Sequence, residues 1–232
     1  MGEKMKIKQT LRKVLKGLSR INFKTIYFNF RYLPFRQAIK IPIMVSKKVY
    51  LLHAGGQVKF DCPIRTGMIQ IGYGDIGIFD KKVSRNIWDV AGTVVFKGTA
   101  DIGHGSKVCV LIGGTLILGS NFTITAESAI VSTNNIKFGN DCLLSWDILI
   151  MDSDCHRIKD SSGNLLNPSA PIIIGHKVWI GCRCLILKGT TIPDNSVVGA
   201  NSFIAGKRLE KKNAVYGGQL AQILKEEVTW IF

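Results

Sequence analysis

Ile174, Ile180, Ile186, Ile192, Val198 and Ile204 put an apolar side chain at every sixth position of one stretch. Helices repeat at 3.6 residues and strands at 2, so a period of six sustained from 174 to 204 is neither alone. Four residues after each apolar position the side chain is small: Val178, Cys184, Thr190, Ser196 and Ser202. Gly175, Gly181 and Gly199 follow their apolar partners directly. This is the pattern of a parallel β-helix, in which each hexapeptide makes one flat face and three close a triangular coil. The apolar residue points into the prism and the small one fits the corner. With slips, the same beat runs through Phe96, Ile102 and Val108, then Leu118, Ile124 and Ile130, then Phe138, Leu144 and Ile150. The predicted fold is mainly β: a left-handed parallel β-helix over residues 49–207. Residues 68–79 read as irregular first coils whose faces the pattern does not assign.

The two ends break the pattern. Leu11, Val14, Leu15, Leu18 and Ile21 follow i, i+3, i+4 spacing with Lys and Arg between them, which predicts a basic amphipathic helix inside an N-terminal segment 1–48. Two readings of that segment stand open: a cap on the open end of the solenoid, or a contact with an anionic membrane surface or a lipid-linked substrate. At the other end, residues 208–232 read as a tail in which G-G-Q-L-A-Q-I-L-K-E-E-V forms a short helix after a glycine turn.

Carried on from Ile150, the beat would put His156, Ser162 and Pro168 inside the prism. Polar and rigid residues in succession cannot fill an apolar core, so the coil must open there. Residues 152–171 are therefore predicted to leave the prism as a loop, and a loop this long inside a regular solenoid points to function. It carries His156 between Asp152, Asp154 and Arg157. A histidine is the side chain best suited to take a proton near neutral pH, and a neighbouring carboxylate can fix its tautomer. Which of the two aspartates would do so is left open by spacing.

Charge and cysteine content narrow the alternatives. The formal net charge is +15, and residues 1–48 hold thirteen Lys or Arg against Glu3 alone. No recognisable nucleic-acid module accompanies that charge, so nucleic acid is not an expected partner. No apolar run is long enough to span a bilayer, and the N-terminus lacks the features of a secretory signal, so a cytoplasmic protein is expected, with the inner membrane face as its other candidate location. The six cysteines contain no C-x-x-C pair and read as reduced thiols. No metal site is expected, because no close histidine pair accompanies His156.

The loop M-D-S-D-C-H-R-I, the step V-W-I-G at 178–181 and the turn G-A-N-S-F-I at 199–204 together resemble the hexapeptide-repeat O-acetyltransferases, in particular those of bacterial capsular and surface polysaccharide synthesis. The resemblance is firm over about 136–226. It implies a homotrimer that binds acetyl-CoA between neighbouring prisms and transfers the acetyl group to a sugar or polysaccharide hydroxyl. His156 matches the general base, with Asp152 and Asp154 as the acids before it. The backbone N–H of Cys182, after Gly181, matches the oxyanion donor. Trp179 matches a residue packed on the pantetheine arm, Ala200 and Gly206 match positions where the cofactor passes close to backbone, and Lys207 matches a basic residue near its phosphates. Leu220 departs from the family, which usually has proline there. Two other activities compete with this one: N-acetylation of an amino sugar, and a non-catalytic trimeric β-helix scaffold.

Overall fold

The computed structural model describes residues 20–74 and 76–231. Among the described residues, twenty-two short strands form three sheets of nine, seven and six strands, parallel except for the last strand of the first sheet, each sheet one face of a triangular prism. The first face runs from Ile43–Val45 to Val215–Gly217, the second from Tyr50–His53 to Phe203–Ile204, the third from Gln57–Phe60 to Thr191–Ile192. Register stacks like residues from coil to coil. On the first face Ile71, Ile102, Ile124, Leu144, Ile180 and Val198 form one continuous ladder that ends on Tyr216. Every apolar position of the six-residue beat from Phe96 to Ile204 is buried, and so are the small corner residues Val178, Cys184, Thr190, Ser196 and Ser202.

The slips have a geometric source. Ile174 pairs with Ile192, a coil of three hexapeptides, whereas Leu116 pairs with Ile136 and Val94 with Leu116, so earlier coils hold two or four extra residues. Those coils use four-residue strands with two inward side chains, such as Val94 and Phe96, or Leu116 and Leu118. Corners are taken by residues in the left-handed region: Asn121, Asp141, Asn195 and Asn201 have φ between 56° and 59°, the conformation that Asn and Asp tolerate best. Residues 43–73 already form regular faces, so the coil begins earlier than the sequence pattern reveals.

Helix α1 (Phe23–Tyr32) and the single turn α2 (Phe35–Ala38) cover the N-terminal end. Asn22 caps α1 by accepting from the amides of Lys24 and Thr25, and the extended Leu33 before Pro34 ends it. Phe28 and Tyr32 pack on Trp88, whose indole N–H donates to the Tyr32 hydroxyl at 3.0 Å. The expected helix over Leu11–Ile21 lies outside the described residues, apart from Arg20 and Ile21.

The C-terminal segment is a correction. Residues 217–228 form no helix: Val215–Gly217 adds to the first face, the chain reverses through Gly218 (φ 103°) and Leu220 (φ 63°), and Gln222–Lys225 returns antiparallel. The last coil leaves an open strand edge whose amides and carbonyls need partners, and pairing that edge outweighs the weak helical spacing of a short segment. Among the described residues no helix is long and apolar enough to cross a membrane.

Candidate active site

Between Met151 on the second face and Ile172 on the third, the chain leaves the prism as predicted, and His156, Ser162 and Pro168 are all exposed. The neck is closed by the Ala170 amide donating to the Asp152 carbonyl at 3.1 Å. Asp152 itself is fully buried. Its carboxylate accepts from the Ser132 hydroxyl, the Thr133 amide and hydroxyl, and the Asn134 amide, at 2.7–3.1 Å. It pins the corner of the preceding coil and makes no contact with the histidine ring.

Asn167 organises the loop above that neck. Its side-chain amide donates to Asp154 Oδ2 and to the His156 carbonyl, both at 2.8 Å, while its oxygen accepts from the Ile158 amide at 2.6 Å. Lys188, from the next coil, ion-pairs with Asp154 and donates to the Asn167 carbonyl at 3.2 Å. Hydrogen bonds from Lys188 and then Asn167 hold the Asp154 carboxyl below its ordinary pKa. Cys155, directly before the histidine, sits at φ 61°, a strained conformation for this residue type that the clamped loop maintains. The result is a histidine with a fixed backbone and an exposed ring that has no hydrogen-bond partner among the described residues. The carboxylate–imidazole pair that spacing suggested is therefore absent: both aspartates are engaged elsewhere.

The remaining predicted residues are spread over the first face and two corners. Trp179 is partly exposed on the first face, where its indole N–H donates to the Ser145 hydroxyl at 3.2 Å and its ring lies 6.2 Å from Trp230. Gly181 and Cys182 form the corner between first and second faces, directly under Ala200: a side chain on Gly181 would meet the Ala200 amide at 2.7 Å, and the Asn201 amide donates to the Cys182 carbonyl at 2.8 Å. The Cys182 N–H has no partner among the described residues. Gly206 (φ 56°) and Lys207 lie at the corner between second and third faces, the Gly206 amide donating to the Lys188 carbonyl at 2.9 Å. Lys207 reaches the Ala221 carbonyl at 2.8 Å and lines a cavity of 670 Å³ against Tyr216 and Gln222. His156 thus shares a corner with Gly206 and Lys207, while Cys182 and Ala200 occupy a different one.

No family model matches the chain. Several known proteins are similar to it. A putative lipopolysaccharide biosynthesis O-acetyl transferase of Escherichia coli K12 is 28% identical over 145 residues, covering 58% of this chain and 72% of the relative. A polysialic acid O-acetyltransferase of Escherichia coli is 31% identical over 135 residues, 58% of this chain but 41% of that protein. The crystal structure of a polySia-specific acetyltransferase superposes with a TM-score of 0.51 at 23% identity, covering 82% of this chain and 78% of the other, a likeness that bears on the fold. The chain thus resembles the hexapeptide-repeat O-acetyltransferases, and the relatives it matches are acetyltransferases. Its prism is their left-handed β-helix.

Within that family fold, Asn167, Lys188, Ser145 and Trp230 are site-forming residues that the sequence did not single out. Each acts through a contact 11 to 53 residues away, and none belongs to a motif. Burial pushes the Cys142 thiol up to about 12 and raises that of Cys184, while burial together with Asp89 pushes Cys109 up to about 11. Among the described residues no group of three or more His, Cys, Asp or Glu is placed to hold a metal ion.

Proposed function

We propose that the chain is an acetyl-CoA-dependent O-acetyltransferase acting on a sugar hydroxyl of a bacterial surface or capsular polysaccharide, or of its precursor. The observation that carries this reading is the exposed His156 on a clamped loop, at a point where the solenoid opens. An alcohol is a weak nucleophile at neutral pH. As the sugar oxygen forms its bond to the thioester carbonyl carbon, His156 takes the hydroxyl proton. The Cys182 N–H donates to the tetrahedral oxyanion. Collapse breaks the carbon–sulfur bond, and the departing thiolate receives the proton from His156.

The same geometry supports a shared site. His156 and Cys182 lie at different corners of one prism, so a site using both draws them from two copies, as a homotrimer with acetyl-CoA between neighbouring prisms provides. Trp179 then faces the pantetheine arm, Gly181, Ala200 and Gly206 allow close backbone approach, and Lys207 serves the phosphates. Asp154 acts on the histidine through Asn167 and the loop backbone, and Asp152 through the neck. Relatives named for lipopolysaccharide and polysialic acid support the glycan class of acceptor.

The test is CoA release from acetyl-CoA with a glycan acceptor. His156→Ala is expected to lower turnover by roughly 10²- to 10⁴-fold with assembly size unchanged. A variant as active as the parent overturns the assignment. The product ester must also be labile to mild alkali, which an amide would survive.

A further inference from the structure

Helix α1 buries polar side chains on its inward face beside the apolar Phe28. Its inward face carries the polar Thr25 and Asn29, both fully buried, which hydrogen-bond the open edge of the strand Ile43–Val45: Asn29 exchanges bonds with the Ile43 carbonyl and amide at 2.7 and 3.1 Å, and Thr25 with those of Val45 at 3.1 and 3.0 Å. That pairing satisfies the first edge of the solenoid, and it turns the aromatic stripe outward. Phe23, Ile26, Tyr27 and Phe30, spaced at three and four residues, form one exposed ridge, at 82%, 45%, 43% and 48% accessibility. Phe35 (69% exposed) extends it across α2, with its ring 6.0 Å from that of Phe30.

The surroundings of this ridge have one sign of charge. Lys24, Arg31 and Arg36 stand on the same two elements, Lys40 follows just after α2, and the sequence contains no Asp or Glu from residue 4 to residue 60. Beside the N-cap Asn22 a cavity of 640 Å³ is lined by Arg20, Lys47, Lys48 and Lys81, with no carboxylate among its described lining. A second copy docked on this face would bring cations against cations. A bilayer rich in anionic phospholipid matches both features, because aromatic rings settle at the headgroup level and basic side chains at the phosphates.

We propose that α1 and α2 form an interfacial docking face for an anionic bilayer. Phe23, Tyr27, Phe30 and Phe35 enter the headgroup–acyl boundary to a depth of roughly 5–10 Å, Arg31, Arg36 and Lys40 lie at the phosphates, and the basic cavity receives a headgroup. The sequence left a cap or a membrane contact open for the whole segment 1–48, and the contact proposed here is on α1 and α2. The face holds the whole prism against the membrane as a peripheral protein.

Vesicle flotation of the full chain tests it, with phosphatidylcholine alone or with about one-third phosphatidylglycerol. The parent is expected to float with the anionic vesicles and to be released at about 0.5 M salt, where charges are screened within a few ångströms. Phe23→Ser, Phe30→Ser and Phe35→Ser combined should lower binding at least tenfold with unchanged melting and assembly size. Three outcomes overturn the proposal: no binding by the parent, a serine variant that binds like the parent, or one whose assembly size falls instead. Phe23→Trp keeps the test decisive if the serine variant folds poorly, since position 23 is almost fully exposed. Its added emission should shift to the blue and be quenched by brominated acyl chains, and an unshifted, unquenched signal overturns insertion. Flotation needs no turnover, so it stands apart from the acyl-transfer reading.

Discussion

Asp154 and Lys188, 34 residues apart in the chain, form an ion pair across the mouth of the 152–171 loop. The lysine belongs to the rigid coil and the aspartate to the loop, so the pair fixes the loop that carries His156 to the scaffold. An ion pair this exposed contributes little to global stability. Its effect is positional.

Lys188→Met is therefore expected to leave the melting temperature within a degree or two of the parent while lowering turnover by about tenfold or more, because small misplacements of a catalytic group are costly. Faster proteolytic cleavage within residues 155–167, together with the kinetics, checks this. A turnover equal to the parent's would remove Lys188 from the positioning role.

The same pair gives the loop a defined acid limit. The folded Asp154 pKa is depressed by hydrogen bonds from Lys188 and Asn167, so the stabilisation is fully present above the unfolded value of about 3.9. It is lost as pH falls through the lower folded value. Loop protection from proteolysis by an acid-active protease should thus be constant from neutrality down to about pH 4 and should fail only below it. In Lys188→Met the failure should move to higher pH.

Asp152 predicts the opposite signature. Its buried carboxylate holds the buried Ser132 hydroxyl and the partly buried Thr133 and Asn134 amides, so Asp152→Ala leaves these donors without their acceptor and should cost about 3 kcal/mol of stability in urea unfolding. His156→Ala removes an exposed ring with no partner and should cost almost nothing in the same experiment. Activity lost in the Asp152 variant should track the unfolded fraction, unlike that lost in the histidine variant.

Gly119, Gly139 and Gly175 stack at the corner between the third and first faces. A methyl group on Gly119 would fall 2.1 Å from the Gly139 carbonyl oxygen, backbone that cannot move aside without displacing the coil. Gly119→Ala should accordingly lower the melting temperature by several degrees, whereas Gly113→Ala, in open space but at φ 83°, should cost only about 1 kcal/mol of backbone strain.

Much of the prism was legible because a solenoid repeats its environment. Ile180, Ile186 and Ile192 each see the same interior one face later, so a single rule recurs and becomes visible as period six. Where the environment is unique the rule fails. Residues 43–73 pack into the same prism, yet their corners differ in length and hide the beat. The tail around Gln222 was misread because its helical spacing is local, whereas its strand conformation answers to an open edge formed by Val215–Gly217.

The site divides in the same way. The failure of the beat at His156, Ser162 and Pro168 follows from residue type alone, since an apolar prism rejects them, and the loop and its histidine were therefore contained in the sequence. The partners of Asp152 and Asp154, the clamp by Asn167 and Lys188, and the outward ridge of α1 were decided only by tertiary structure. Each depends on which distant backbone or side chain the coil brings within about 3 Å, and linear spacing carries no record of that distance.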